Sequence, residues 1–197
     1  MTIRLLAPSL DLLPQYTEAL QCGWSPTTSR PLESIREELR QIADDPASFV
    51  ASLDDPEAKG AAITLPDGSS VPRLPGFRRW IFDGEFCGAV NFRWQHGTSA
   101  LPAYVLGHIG YLVVPWKRGR GYAGQALKLI LPDARKLGLI HVELTADSNN
   151  IASQKTILAC GGILIERFMK SEAYGKSGNT EMLRYRIYLD GADQEPG

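Results

Sequence analysis

An apolar run, Ile109 to Val114, passes through Pro115 into a basic glycine turn, Lys117-Arg-Gly-Arg-Gly121, and the turn opens onto an amphipathic stretch that begins at Tyr122. This order of strand, turn and helix commits the chain to a mixed α/β fold with one βα junction at its centre. Such a turn is suited to a phosphate. Gly119, Gly121 and Gly124 remove the Cβ atoms that would hold a ligand off the backbone. The first amides of a helix lack intrahelical acceptors and point at whatever occupies its mouth. The helix dipole adds partial positive charge, and Lys117, Arg118 and Arg120 add full charges.

Periodicity organises the rest. A first strand is expected within Thr2 to Ala7. Leu12, Leu13, Tyr16 and Leu20 fall at helical spacing, as do Leu32, Ile35, Leu39 and Ile42, with Pro31 in a first turn and Asp44-Asp-Pro46 closing that helix. From Asp54 to Gly76 the composition turns to proline, glycine and small polar residues, which predicts a long loop or hairpin with strand character only at Ala61 to Leu65. Three strands follow at 78–82, 85–94 and 104–114, the first two joined by Asp83-Gly84, a hairpin signal that predicts an antiparallel meander.

Ala123, Ala126, Leu127, Ile130, Leu131, Ala134 and Leu137 lie on one helical stripe, which ends at Gly138. Pro132 inside this helix is expected to kink it or split off its last turns. A strand at 140–146, a helix at 150–160, strands at 163–169 and 181–189, and a polar tail at 190–197 complete the pattern. There is no internal repeat.

Composition narrows the functional classes. The chain has 197 residues, 44% of them hydrophobic, which is enough for one domain with a sizeable core. A formal net charge of -1 gives no reason to expect nucleic-acid or membrane-surface binding, so the local basic turn calls for a small anion. Cys22, Cys87 and Cys160 are odd in number and lack metal-site spacing, so reduced thiols and no metal are expected. No apolar run has the length of a signal peptide core or a membrane span, and a soluble cytoplasmic protein is the expectation.

Arg118-x-x-Gly121-x-Ala123, a few residues after Val113-Val-Pro115, resembles the acyl-CoA pyrophosphate loop of the GNAT superfamily of N-acetyltransferases. Asn150-x-x-Ser153, with Gly161 eleven residues after the asparagine, resembles that superfamily's second signature. Gly107-His-Ile-Gly-Tyr111, the helix end before Gly138, and Gly161-Gly162 are similar to a bacterial acetyltransferase group within it. The likeness spans roughly residues 77–189.

The resemblance implies a GNAT-type fold, with a central, mostly antiparallel twisted sheet flanked by helices. It implies one domain over residues 1–190: an acceptor-side helical region (1–53), the Pro/Gly-rich loop (54–76) and the acyl-CoA core (77–189). It also implies acetyl transfer from acetyl-CoA, as co-substrate and without a metal, to a primary amine on a small molecule or peptide. The N-terminal helices and the 54–76 loop would select the acceptor, and monomer or homodimer stays open.

On this likeness, backbone amides from Arg118, Gly119, Arg120, Gly121, Tyr122 and Ala123 grip the diphosphate. Leu112, Val113 and Val114 pair with the pantetheine arm, and one of their amides polarises the thioester carbonyl. Asn150 hydrogen-bonds the pantetheine, caps the following helix, or does both. The family's frequent tyrosine acid falls at Ile157 here, leaving Ser153, Tyr111 or water as the acid, or an unaided thiolate departure. His108 is the favoured base, against a structural role as a hydrogen-bonder, because its ordinary pKa near 6.5 suits it to take a proton at neutral pH. Strand alternation puts His108 and Tyr111 on opposite faces.

Two other readings compete. Gly119-x-Gly121-x-x-Gly124 with Glu143 also fits a dinucleotide fingerprint, but a meander precedes it, too little chain follows, and Glu143 is mid-strand. A non-catalytic acyl-CoA sensor draws on the missing tyrosine.

Overall fold

A computed structural model describes residues 2–28, 30–65, 68–170 and 180–189. In chain order the elements are β1 (Arg4–Leu6), α1 (Leu13–Gln21), α2 (Pro31–Asp44), α3 (Pro46–Ser52), β2 (Asp54–Asp55), β3 (Ile63–Thr64), β4 (Ser70–Val71), β5 (Gly76–Phe82), β6 (Phe86–Arg93) and β7 (Ile109–Val113). There follow a 3-10 turn (Pro115–Lys117), α4 (Tyr122–Lys136), β8 (His141–Asp147), α5 (Ile151–Ala159), β9 (Ile163–Met169) and β10 (Glu181–Tyr188). The polar tail expected at 190–197 lies outside the described residues.

The strands form two sheets and a small hairpin. One sheet runs β1-β5-β6-β7 with β2 on β5, the other runs β8-β10-β9, and β3 pairs β4 within the 54–76 segment. Every pairing is antiparallel. The expected meander is present as β5-β6-β7, although its last strand begins only at Ile109, after a long loop.

Alternation on β5 and β6 gives the first sheet two apolar faces. Val90, Phe92 and Ile109 pack on Leu127 and Ile130 of α4 together with Leu144 and Ile187 of the second sheet. Trp80, Phe82 and Ala89 pack on Leu13, Tyr16 and Leu20 of α1, with Phe49 of α3. Aromatic rings concentrate there, with Tyr16 stacked on Trp80 at 4.8 Å and edge-on to Trp24 at 5.6 Å.

Three local expectations are revised. Asp44-Asp-Pro46 closes α2 and also opens α3, because the Asp45 carboxylate accepts the amides of Ala47 and Ser48 and Pro46 occupies a first-turn position without a donor to lose. Pro132 does not split α4, which continues to Lys136. Both Pro132 and Lys128, whose carbonyl loses its partner, lie on the exposed face, where water can take that carbonyl's place. Leu32, expected on the α2 stripe, is 68% exposed, whereas Ile35 is buried.

Candidate active site

The site begins where the two sheets part. On one edge β7 pairs with β6; on the other, facing β8, no backbone hydrogen bond joins the two strands from Ile109 to Val113. The fork closes at His108, whose N–H donates to the Glu143 carbonyl at 2.7 Å, while its Nδ1 accepts the Glu143 N–H at 2.9 Å. Gly107 permits this approach, since a Cβ there would lie 2.9 Å from the Glu143 oxygen.

Parity decides which groups of β7 face the opening. The Val114 N–H is spent on the Cys87 carbonyl at 2.9 Å, and the Leu112 carbonyl lies against Gly88 of β6. Alternation therefore turns the backbone of Tyr111 and Val113 toward the gap. Of the three residues expected to offer backbone groups there, Val113 does so, whereas Leu112 and Val114 are turned to β6.

At the mouth of the fork, Gly119 and Gly121 adopt left-handed φ values of 77° and 74°, and Gly121 is the N-cap of α4. The amides of Gly119, Arg120, Gly121, Ala123 and Gly124 meet no acceptor among the described residues. Arg118 and Arg120 are exposed, with Arg118 Nε donating to the Val113 carbonyl at 3.2 Å.

Lys117 departs from expectation. It is buried, and its Nζ lies 2.7 Å from Asp83 and 2.9 Å from Glu85. The Tyr122 hydroxyl donates to the same Asp83 carboxylate at 2.6 Å. Burial would push the Asp83 carboxyl up, but the hydrogen bonds from Lys117 and Tyr122 prevail and hold it well below the usual range. This ion pair anchors the turn to the β5-β6 hairpin, so of the three cations only Arg118 and Arg120 are exposed at the mouth of the fork. Sequence reading marked Asp83 only as a turn residue, and nothing in the sequence pairs it with Lys117.

Behind the turn, Asn150 Oδ1 caps α5 by accepting the Ser153 N–H at 3.1 Å. Ser153 Oγ lies 2.9 Å from the Tyr111 hydroxyl, so these two expected acid candidates come together on the α5 side of the fork. Burial raises the Tyr111 pKa. Between α4 and α5 runs a groove of about 370 Å³ bordered by Gly121, Lys128, Lys155 and Thr156. Ile157 is buried in the core.

His108 stands apart from Tyr111, as alternation requires. It is fully buried, its pKa pushed down to about 4, chiefly by burial against a smaller opposing pull from Glu143. Because Nδ1 accepts an amide proton, the neutral ring carries its own proton on Nε2, a buried atom without a partner. So placed, the imidazole has no free lone pair for an incoming amine.

On the α1–α3 side of the first sheet lies a larger cavity of about 1240 Å³, which sequence reading did not locate. Arg78 crosses its floor, bonded to Asn91 at 2.9 Å, Glu38 at 3.0 Å and the Tyr16 hydroxyl at 2.5 Å, and Tyr16 in turn donates to Glu38. No cluster of three or more potential metal ligands occurs among the described residues. No described helix is long and apolar enough to cross a membrane.

Solved structures share this architecture. The microcin C7 self-immunity acetyltransferase MccE, in complex with acetyl-CoA and AMP, aligns with a TM-score of 0.63 at 16% identity over 95% of this chain and 92% of its own. The ribosomal L7/L12 alpha-N-protein acetyltransferase RimL, in complex with coenzyme A, aligns at 0.62 and 16% over 98% and 97%. A spermidine N-acetyltransferase SpeG chimera from Vibrio cholerae and hSSAT aligns at 0.59 and 14% over 96% of each chain. At these identities the likeness speaks for the fold. No curated protein matches the sequence. Residues 28–163, which include the fork, the glycine turn and the Asn150 cap, match the model of the acetyltransferase (GNAT) domain, and the chain belongs to that family.

Proposed function

We propose that the fork holds acetyl-CoA and that the protein transfers its acetyl group to a primary amine entering from the α1–α3 side. The observation that carries this reading is the row of unmatched amides at Gly119, Arg120, Gly121, Ala123 and Gly124, continuous with the unpaired edge of β7. A diphosphate satisfies the first set, with Arg118 and Arg120 adding charge. An amide-bearing pantetheine arm satisfies the second, along Tyr111 and Val113. MccE and RimL, which share the fold, hold acetyl-CoA and CoA respectively, which agrees with this assignment.

The chemistry is direct attack in a ternary complex. The amine nitrogen forms a bond to the thioester carbon, an amide of β7 stabilises the oxyanion, and the carbon–sulfur bond breaks as the thiolate leaves. Tyr111, kept protonated by burial and oriented by Ser153, supplies the proton to sulfur. The amine gives its proton to water. His108 acts as a positioning residue, pinning β7 to β8 at the closed end of the fork. Proteins and spermidine are the acceptors named for two neighbours of the same fold, and both present amines to a shared architecture.

Isothermal titration with CoA, followed by thiol-release assays over a panel of amines, tests the reading. The expected result is CoA binding that weakens with salt, together with turnover on at least one amine. Tight CoA binding with no turnover on any acceptor favours a sensor module. Stabilisation by a nicotinamide dinucleotide in preference to CoA overturns the assignment.

A further inference from the structure

The large cavity on the α1–α3 side carries many charges, and nearly all are already partnered. Glu37 is taken by Arg40 and Gln41, Glu38 by Arg78, and Asp54 by Arg79. Asp44 pairs with Arg40, Asp45 caps α3, and Asp55 accepts the amides of Lys59 and Gly60. Among the cations, Lys59 meets Glu57 and Arg73 donates to the Ala61 carbonyl.

Arg93 is the exception. Its side chain lines the cavity and has no hydrogen-bond or ion-pair partner among the described residues. Burial and the neighbouring Arg78 both lower its pKa, the mark of a cation without a counter-charge. The side chain is half-buried on the cavity wall, where an oxyanion entering the cavity can reach it.

Its position relates that vacancy to the fork. The Arg93 N–H donates to the His108 carbonyl, so Arg93 stands beside the closed end of the gap. Two residues along β7, Gly110 pairs with Asn91, and a Cβ on Gly110 would meet nothing within 4 Å. By alternation Asn91 and Arg93 face the same side. Asn91, the partner of Gly110, lines the cavity together with Arg93, so the guanidinium shares an open face with the strand that pairs β7.

We infer that Arg93 is a specificity residue that binds an oxyanion, carboxylate or phosphate, on the acceptor, so that the preferred substrates are amines bearing an anionic group. This rests on the proposed acetyl transfer, with the acceptor entering from this cavity. The planar fork of arginine donors suits both oxyanions through two parallel hydrogen bonds.

The test compares matched acceptors: β-alanine and its amide for the carboxylate arm, O-phosphoethanolamine and ethanolamine for the phosphate arm, with CoA affinity measured in parallel. Wild type is expected to favour the anionic member of at least one pair by about 10- to 100-fold in kcat/KM, as a charged hydrogen bond allows. Arg93→Gln should bring that ratio near unity at unchanged CoA affinity, and Arg93→Lys should restore part of it. A wild-type ratio near one, or a ratio insensitive to Arg93→Gln, overturns the inference while leaving acetyl transfer standing.

If no amine in the panel turns over, binding of succinate and inorganic phosphate to wild type and Arg93→Gln decides directly. Binding of either anion that is lost in the variant supports the site, and no binding, or equal binding, refutes it. Failure to bind CoA refutes the fork assignment, and the anion titration still reports on Arg93.

Discussion

His108 shows how much a single side chain depends on contacts distant in sequence. Its folded pKa near 4 lies below the ordinary 6.5, so between those values the unfolded chain binds the proton and the folded one resists it. Its stabilising contribution is full above about pH 6.5 and is lost as the pH falls toward 4, by roughly 3 kcal/mol in all. Protonation at Nδ1 would also turn the acceptor of the Glu143 amide into a second donor facing it. Urea melts between pH 7.5 and 4.5 should therefore show a steeper loss for wild type than for His108→Gln, and parallel curves would refute the assignment. The same substitution should leave the neutral-pH limb of the transfer rate in place, whereas loss of that limb would return the base role to the imidazole. Sequence placed this residue within the strand, which in the structure begins one residue later at Ile109, and opposite Tyr111. It could not show that Glu143, 35 positions away, takes the nitrogen a base would need.

Elements were more legible than residues, because periodicity is a local property. Apolar spacing located α1, α2 and α4, Asn150 as a cap marked α5, the apolar runs and the Asp83-Gly84 turn located β5 and β6, and the glycine turn marked the start of α4. The omission of α3 follows from the double meaning of Asp45-Pro46, which stops one helix and, being cap and first-turn proline, starts another. Asp45→Ala removes the acceptor for the Ala47 and Ser48 amides at 3.1 and 3.0 Å, and should lower the melting temperature with CoA affinity unchanged. An unaltered melting temperature would mean that α3 is held by Phe49 and its packing alone. The break between β7 and β8 left no trace in the sequence, since a strand reads the same whether its edge is paired or bare.

In the whole molecule, two cores flank the first sheet, and the Asp83–Lys117–Tyr122 network joins the β5-β6 hairpin to the glycine turn. Both ends of the ion pair keep only 7% of their side-chain surface exposed. Asp83→Asn leaves Lys117 only the exposed Glu85 as counter-charge and should destabilise the fold by about 1–3 kcal/mol in denaturant melts. Lys117→Met with Asp83→Asn should recover part of that loss, and equal stability of the single and double variants would show the pair to be uncoupled. The basic turn illustrates why composition misleads here: of three cations within four positions, Lys117 is buried as an anchor while Arg118 and Arg120 stay exposed, by which way each side chain faces. The bare rim of β7 has a further consequence. An unpaired strand margin in open water is a template for aggregation with other chains. Here β8 lies beside it and His108 bolts one end of the two strands together, so the margin is not presented freely to another polypeptide.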